Sequence, residues 1–246
     1  MKRIPSKLDN CPIIESVLEI RFDSAFDRSV VFPILYSVIS SDFQAPIPLP
    51  ILQIPENIKE QDPNLMFQPY YRLALKDDPN VSLQIGPRVI AFSFTQNYSG
   101  WDSFRTYVTK YVGVIKSTNV IKKVLRMGFR VINFFDWDIF KKGIELKVSL
   151  DGSEIPYIET AIKTKFVNGN YESTVNILNN ANLNNAQSRR LGSVIDIDTC
   201  TIYCDNFFAN VSQYMDDAHS AEKAIFFNLL TDDLINSLNP TYDGTI

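Results

Sequence analysis

The stretch Cys11-Pro-Ile-Ile-Glu-Ser-Val-Leu-Glu-Ile-Arg-Phe22 decides how the rest of the chain is read. It opens with a Cys-Pro step suited to a loop and then alternates. Leu18, Ile20 and Phe22 fall on one face of an extended segment, and Val17, Glu19 and Arg21 fall on the other. A period of two predicts a β-strand with one face against a core and one face carrying charge. Glu19 and Arg21, two residues apart, share the charged face.

Downstream, Asp27 and Ser29 precede the apolar run Val30 to Phe43, which predicts a helix with Pro33 tolerated near its first turn. Ala45-Pro-Ile-Pro-Leu-Pro50 ends it, and Pro55, Pro63 and Pro69 extend the break. Residues 45–69 are therefore expected as a long connection, of the kind that carries function or moves. Strands are predicted at Tyr70 to Leu75, Val81 to Ile85 and Arg88 to Thr95, with turns at Asp77-Asp-Pro-Asn80 and Gly86-Pro87. After Gly100, the residues Trp101, Phe104, Val108, Tyr111, Val112 and Ile115 recur at helical spacing. Lys123 to Phe135 returns to period two, with Leu125, Met127, Phe129 and Val131 on one face and Arg126, Gly128 and Arg130 on the other.

The second half again places strands before helices. Ile144 to Leu150 alternates, and Asn168-Gly169-Asn170 marks a hairpin between Thr160 to Val167 and Glu172 to Leu178. Asn179 to Gln187 reads as a loop tip and Ser193 to Tyr203 as a β-branched strand. A helix is predicted from Phe207 to Leu230, and Thr231-Asp-Asp-Leu caps a short last helix that Pro240 stops. The expected class is α+β: two subdomains, residues 1–137 and 138–246, each a mainly antiparallel sheet covered by helices.

Three segments carry a resemblance. Pro12-Ile-Ile-Glu-Ser-Val-Leu-Glu-Ile-Arg-Phe22 is similar to the N-terminal signature, Pro-Ile-x-Glu-x-x-x-Glu-Ile-Arg-Phe, of a sporadically distributed and functionally uncharacterised prokaryotic family. Arg126-Met-Gly-Phe-Arg-Val-Ile-Asn133 looks like that family's central strand, with Val131 where Tyr is usual. Asp217-Ala-His-Ser-Ala-Glu-Lys-Ala-Ile-Phe226 followed by Leu230-Thr-Asp-Asp-Leu234 resembles its C-terminal helix. The resemblance implies an architecture and no reaction, and a sporadic distribution suits mobile defence genes.

Composition narrows the function classes. A formal charge of −4 argues against a broad surface for nucleic acid, while a local basic patch stays compatible with one. Seventeen Phe and eleven Tyr against nine Gly argue for a packed globule over disorder. Cys11, Cys200 and Cys204 give no disulfide framework, so reduced thiols in a cytoplasmic protein are expected. No apolar run is long enough to span a bilayer, and Asp9 and Asn10 stand where a secretory signal needs an apolar core. The sequons at Asn97 and Asn210 then read as coincidences of composition.

The chain is poor in catalytic motifs. His219 is the single histidine, which leaves imidazole triads and His-based zinc sites without partners. It reads as a helix-edge hydrogen-bonding or partner-contact residue. Cys200-x-x-x-Cys204 is too extended for one metal. Asp136-Trp-Asp138 and Asp196-Ile-Asp198 read as solvated strand faces, although Asp136 or Asp138 with Glu145-Leu-Lys147 resembles a metal-nuclease pattern. Neither a phosphate loop nor a Gly-x-Gly-x-x-Gly is present. No catalytic set, cofactor or metal is expected. The candidate binding residues are Glu19, Arg21, Arg126, Arg130, Asn133 and His219. The expected function is non-enzymatic binding of a macromolecule, as an antitoxin-like or defence-associated partner of an effector encoded nearby, with homodimerisation also compatible. The alternatives are the metal-dependent nuclease and a sensor gripping an anionic ligand or nucleotide with Arg21, Arg126 and Arg130.

Overall fold

The computed structural model describes residues 2–96, 98–184 and 189–243. In chain order its strands are β1 (Lys7–Leu8), β2 (Ile13–Ser24), β3 (Ile47–Pro48), β4 (Tyr71–Ala74), β5 (Val81–Ile85), β6 (Val89–Thr95), β7 (Ile121–Phe135), β8 (Ser149–Leu150), β9 (Ser153–Glu154), β10 (Ala161–Asn168), β11 (Tyr171–Asn184), β12 (Arg189–Thr201) and β13 (Pro240–Thr241). The helices are α1 (Arg28–Ile39), α2 (Glu56–Gln61), α3 (Pro63–Met66), α4 (Trp101–Ser117), α5 (Phe207–Leu229) and α6 (Asp232–Ser237). The fold is α+β. Nine strands form one antiparallel sheet in the order β10-β11-β12-β7-β2-β6-β5-β4-β3. By contact density the chain falls into two compact units, one of residues 15–129 with 200–218, the other of residues 1–14, 130–199 and 219–246.

In the first unit, β2 alternates as its sequence requires. Ser16, Leu18, Ile20 and Phe22 are buried, while Val17, Glu19, Arg21 and Asp23 are half-exposed. β2 pairs with β6, placing Leu18 opposite Phe92 and Ile20 opposite Ile90. β6 pairs in turn with β5 through Leu83 opposite Phe92. α4 covers this apolar face: the Phe104 ring meets Phe94 at 5.1 Å and Phe129 of β7 at 5.6 Å, and Tyr107 meets Phe92 at 5.9 Å. Edge-to-face contacts of this kind add to area burial. Asp27 caps α1 by accepting from Ser29 N at 2.9 Å. Asp216 of α5 accepts two hydrogen bonds from Arg105 at 2.9 and 3.0 Å and one from Trp101 Nε1 at 3.2 Å, seating the first half of α5 beside α4.

The second unit has its own core, with Val175 and Ile177 of β11 and Ile195 and Ile197 of β12 packed with Phe226, Phe227, Leu230, Leu234 and Ile235 from α5 to α6. β10 and β11 pair from Ala161 opposite Leu178 to Asn168 opposite Tyr171. Gly169 takes a left-handed φ of +57° in the two-residue turn between them, a conformation glycine adopts without penalty. Thr231 Oγ1 accepts from Leu234 N and starts α6 where the Thr-Asp-Asp-Leu pattern predicts.

Three local expectations are corrected. Residues 45–69 are not a featureless connection: they hold β3, a 3-10 turn at Pro50–Gln53, α2 and α3. The breaking prolines act as helix starters, because Pro55 precedes α2 and Pro63 opens α3, where a missing N–H costs nothing. Ile144 to Leu150 is not a strand throughout. Ile144 makes an isolated antiparallel bridge to Leu230, Glu145 N donates to Leu229 O and Val148 N to Tyr157 Oη, and only Ser149–Leu150 enters a regular ladder. The Asn-rich tip expected at 179–187 is strand as far as Asn184, and its remainder, 185–187, lies outside the described residues.

Candidate functional site

On the face of β2 turned away from α4, Glu19 Oε1 accepts from Arg21 Nε at 2.6 Å and from Arg126 Nη1 at 2.8 Å. These side chains are about a quarter to a third exposed, so the network is sheltered without being dry. It requires β7 to lie beside β2, which the sheet order provides. Asp23, next on the same face, pairs with Arg88 from the residues before β6. The Arg21 and Arg88 guanidiniums lie 5.0 and 5.3 Å from the ring centre of Phe67, where the ring quadrupole attracts cations. Asp23, Arg88 and Phe67 are absent from the candidates that the sequence suggests. Asp23 is recoverable by extending the alternation two residues; Phe67 carries no local signal for its contact.

Arg126 lies across Gly128, the next residue on its face. A Cβ at Gly128 would sit 2.5 Å from Arg126 Nη1. Gly128→Ala is therefore expected to push the guanidinium off Glu19 and to lower stability by about 1 kcal/mol. In a urea-denaturation double-mutant cycle, Gly128→Ala should cost almost nothing once Glu19 is Gln. An undiminished cost in that background would show that the effect is steric alone.

The other candidate residues lie in the second unit. Arg130 donates to both oxygens of Asp196 at 2.7 and 2.8 Å, a bidentate pair that Asn176 joins at 3.2 Å. Asn133 is buried, and its amide donates to Ile195 O at 3.4 Å. His219 is half-buried on α5 and is engaged in an interaction of its own. Glu19, Arg21 and Arg126 thus come together in one unit, while Arg130 and Asn133 tie β7 to β12 in the other.

The nuclease-like pattern is not assembled on a strand. Asp136 and Asp138 follow the end of β7 in a turn. Asp138 accepts from Phe140 N at 3.1 Å. Glu145 pairs with Lys2 at 3.5 Å, and Lys147 is exposed in a segment outside any ladder. Among the described residues, no three His, Cys, Asp or Glu side chains converge as a metal site requires. Asp196 and Asp198 do lie on β12, but the first of them serves Arg130.

The least expected feature is β10. It is the last strand of the sheet on its side, and every residue except Ile162 is exposed. Ile162 packs against the core of its unit, and from Lys163 to Asn168 both faces are exposed. Lys163 and Lys165 project on one of them. Phe166 on the other face and Val167 beside the lysines are 50% and 67% exposed. Lys165 reaches Glu172 of β11 at 2.6 Å. An edge strand also offers its outward row of N–H and C=O groups to another chain.

No family model and no curated protein matches the chain. Among the described residues, no helix is long and apolar enough to cross a membrane.

Proposed function

We propose that this chain is a non-catalytic binding protein that holds a protein partner at the open edge of β10. The observation that carries the reading is the exposure of that strand on both faces from Lys163 onward, with Phe166 and Val167 bare beside a backbone edge that no strand among the described residues pairs. The charged candidates support it indirectly, because Glu19, Arg21, Arg126 and Arg130 hold one another or Asp196 within their units. The proposed biological role is that of an antitoxin-like or defence-associated accessory to an effector, in line with the resemblance of the opening strand to a sporadically distributed prokaryotic family. The proposed compartment is the cytoplasm, where the free thiols of Cys11, Cys200 and Cys204 would stay reduced.

The test is co-purification from the native host with tagged wild type and with a Phe166→Ser, Val167→Ser double variant. The expected result is stoichiometric recovery of one protein by the wild type and at least about tenfold less by the variant, with its fold intact by circular dichroism. Recovery of nothing by the wild type, or equal recovery by both, refutes the reading.

A further inference from the structure

From the chemistry of β10 we infer that its occupant is an extended acidic segment of a partner protein, added to the sheet as a further strand. This rests on the reading of the β10 edge as the partner-binding element. In β10, Ala161, Lys163, Lys165 and Val167 share one face, and Ile162, Thr164 and Phe166 share the other. Residues directly opposite in an antiparallel ladder lie on the same face. A strand that places carboxylates against Lys163 and Lys165 therefore places its intervening side chains against Thr164 and Phe166, where β-branched or apolar groups fit. The complement is an alternating acidic and apolar segment. Glu172 already holds Lys165 from the β11 side, so Lys163 is the ammonium that an incoming carboxylate meets without competition from an ion pair among the described residues.

The same geometry disfavours a second copy of this edge. Symmetric antiparallel pairing of β10 with itself keeps each face with its own kind. The two registers of greatest overlap then set Lys163 opposite Lys165, or Lys165 opposite Lys165. Like charges directly opposite are destabilising. An acidic strand converts that penalty into attraction.

The experiment uses synthetic eight-residue peptides, the length of β10, in which Glu or Lys alternates with Val. Their binding to the full chain is followed by fluorescence anisotropy. The Glu peptide is expected to bind at least about tenfold more tightly than the Lys peptide, to weaken with added salt, and to lose binding when alternate peptide nitrogens are methylated. In a Lys163→Glu, Lys165→Glu variant the preference between the peptides is expected to reverse. Equal affinity for the two peptides, binding of neither, or a preference unchanged by the double reversal overturns the inference. If the reversal variant still recovers the host partner as well as wild type does, the acidic-strand inference falls while the partner-binding reading stands. If wild type recovers no partner, the failure belongs to that reading.

Discussion

Gly192→Ala is expected to cost the fold about 3 kcal/mol or more, among the largest losses a single methyl can cause in this chain. Gly192 lies inside β12, and its φ is not left-handed, so conformational freedom is not what the position needs. It needs space. A Cβ there would overlap the Phe135 carbonyl oxygen, and would lie 2.9 Å from Phe134 Cζ and 3.0 Å from Asp136 Cα. Two of those three atoms are backbone and cannot rotate away. The strand would have to leave its neighbour, losing ladder hydrogen bonds and loosening the Ile195 and Ile197 side chains from their core. Urea denaturation should show a lower midpoint with an unchanged slope. A midpoint within error of wild type would mean that β12 and β7 are not in such close contact.

Glu222→Gln is expected to do the opposite at alkaline pH. Glu222 is buried on α5, at 4% exposure, and burial pushes its carboxyl from an ordinary 4.5 up to about 8, only partly countered by the neighbouring Lys223 ammonium. Lys223 is itself held down by burial and donates to Pro5 O at 2.9 Å. The folded chain therefore keeps a proton on Glu222 that the unfolded chain releases. Because the unfolded state binds fewer protons, stability falls as pH rises from about 4.5 and levels off above about 8. The fall is worth up to about 5 kcal/mol, since each tenfold change in proton affinity is worth about 1.36 kcal/mol, before Lys223 and local relaxation reduce it. Gln keeps the shape without the titration. Denaturation midpoints of wild type and Glu222→Gln should nearly coincide at the acidic end and separate steadily towards the alkaline end, with the variant more stable. Parallel profiles would show that water or a partner group reaches the carboxylate.

Both effects sit at places that a local reading passes over. Gly192 is an inconspicuous residue at the start of a β-branched run, and nothing in its neighbours announces the carbonyl of Phe135 behind it. Glu222 falls on the apolar stripe of α5, between Ala218 and Ile225, so its position hints at burial, but the depth of burial depends on what packs over it. The candidate site divides the same way. Glu19 and Arg21 are two residues apart on one strand, and their pairing is readable from period two alone. Arg126 reaching Glu19 across 107 residues of chain, and Arg130 choosing Asp196 instead, require knowing which strand lies on each side of β7. The prolines of residues 45–69 mislead because a proline ends one helix and begins the next with equal ease. Only the surrounding chain decides which.

Periodicities of 2.0 and 3.6 are properties of a few consecutive residues, so the sequence by itself determined that β2, β5, β6 and β7 are strands, that α1, α4, α5 and α6 are helices, and that β2 shows one apolar and one charged face. The order β7-β2-β6, the division of the arginines between two carboxylates, the crowding at Gly192 and the bareness of β10 were decided by the tertiary structure alone. They depend on contacts between residues far apart in sequence, and such contacts leave no periodic trace in either partner's own segment.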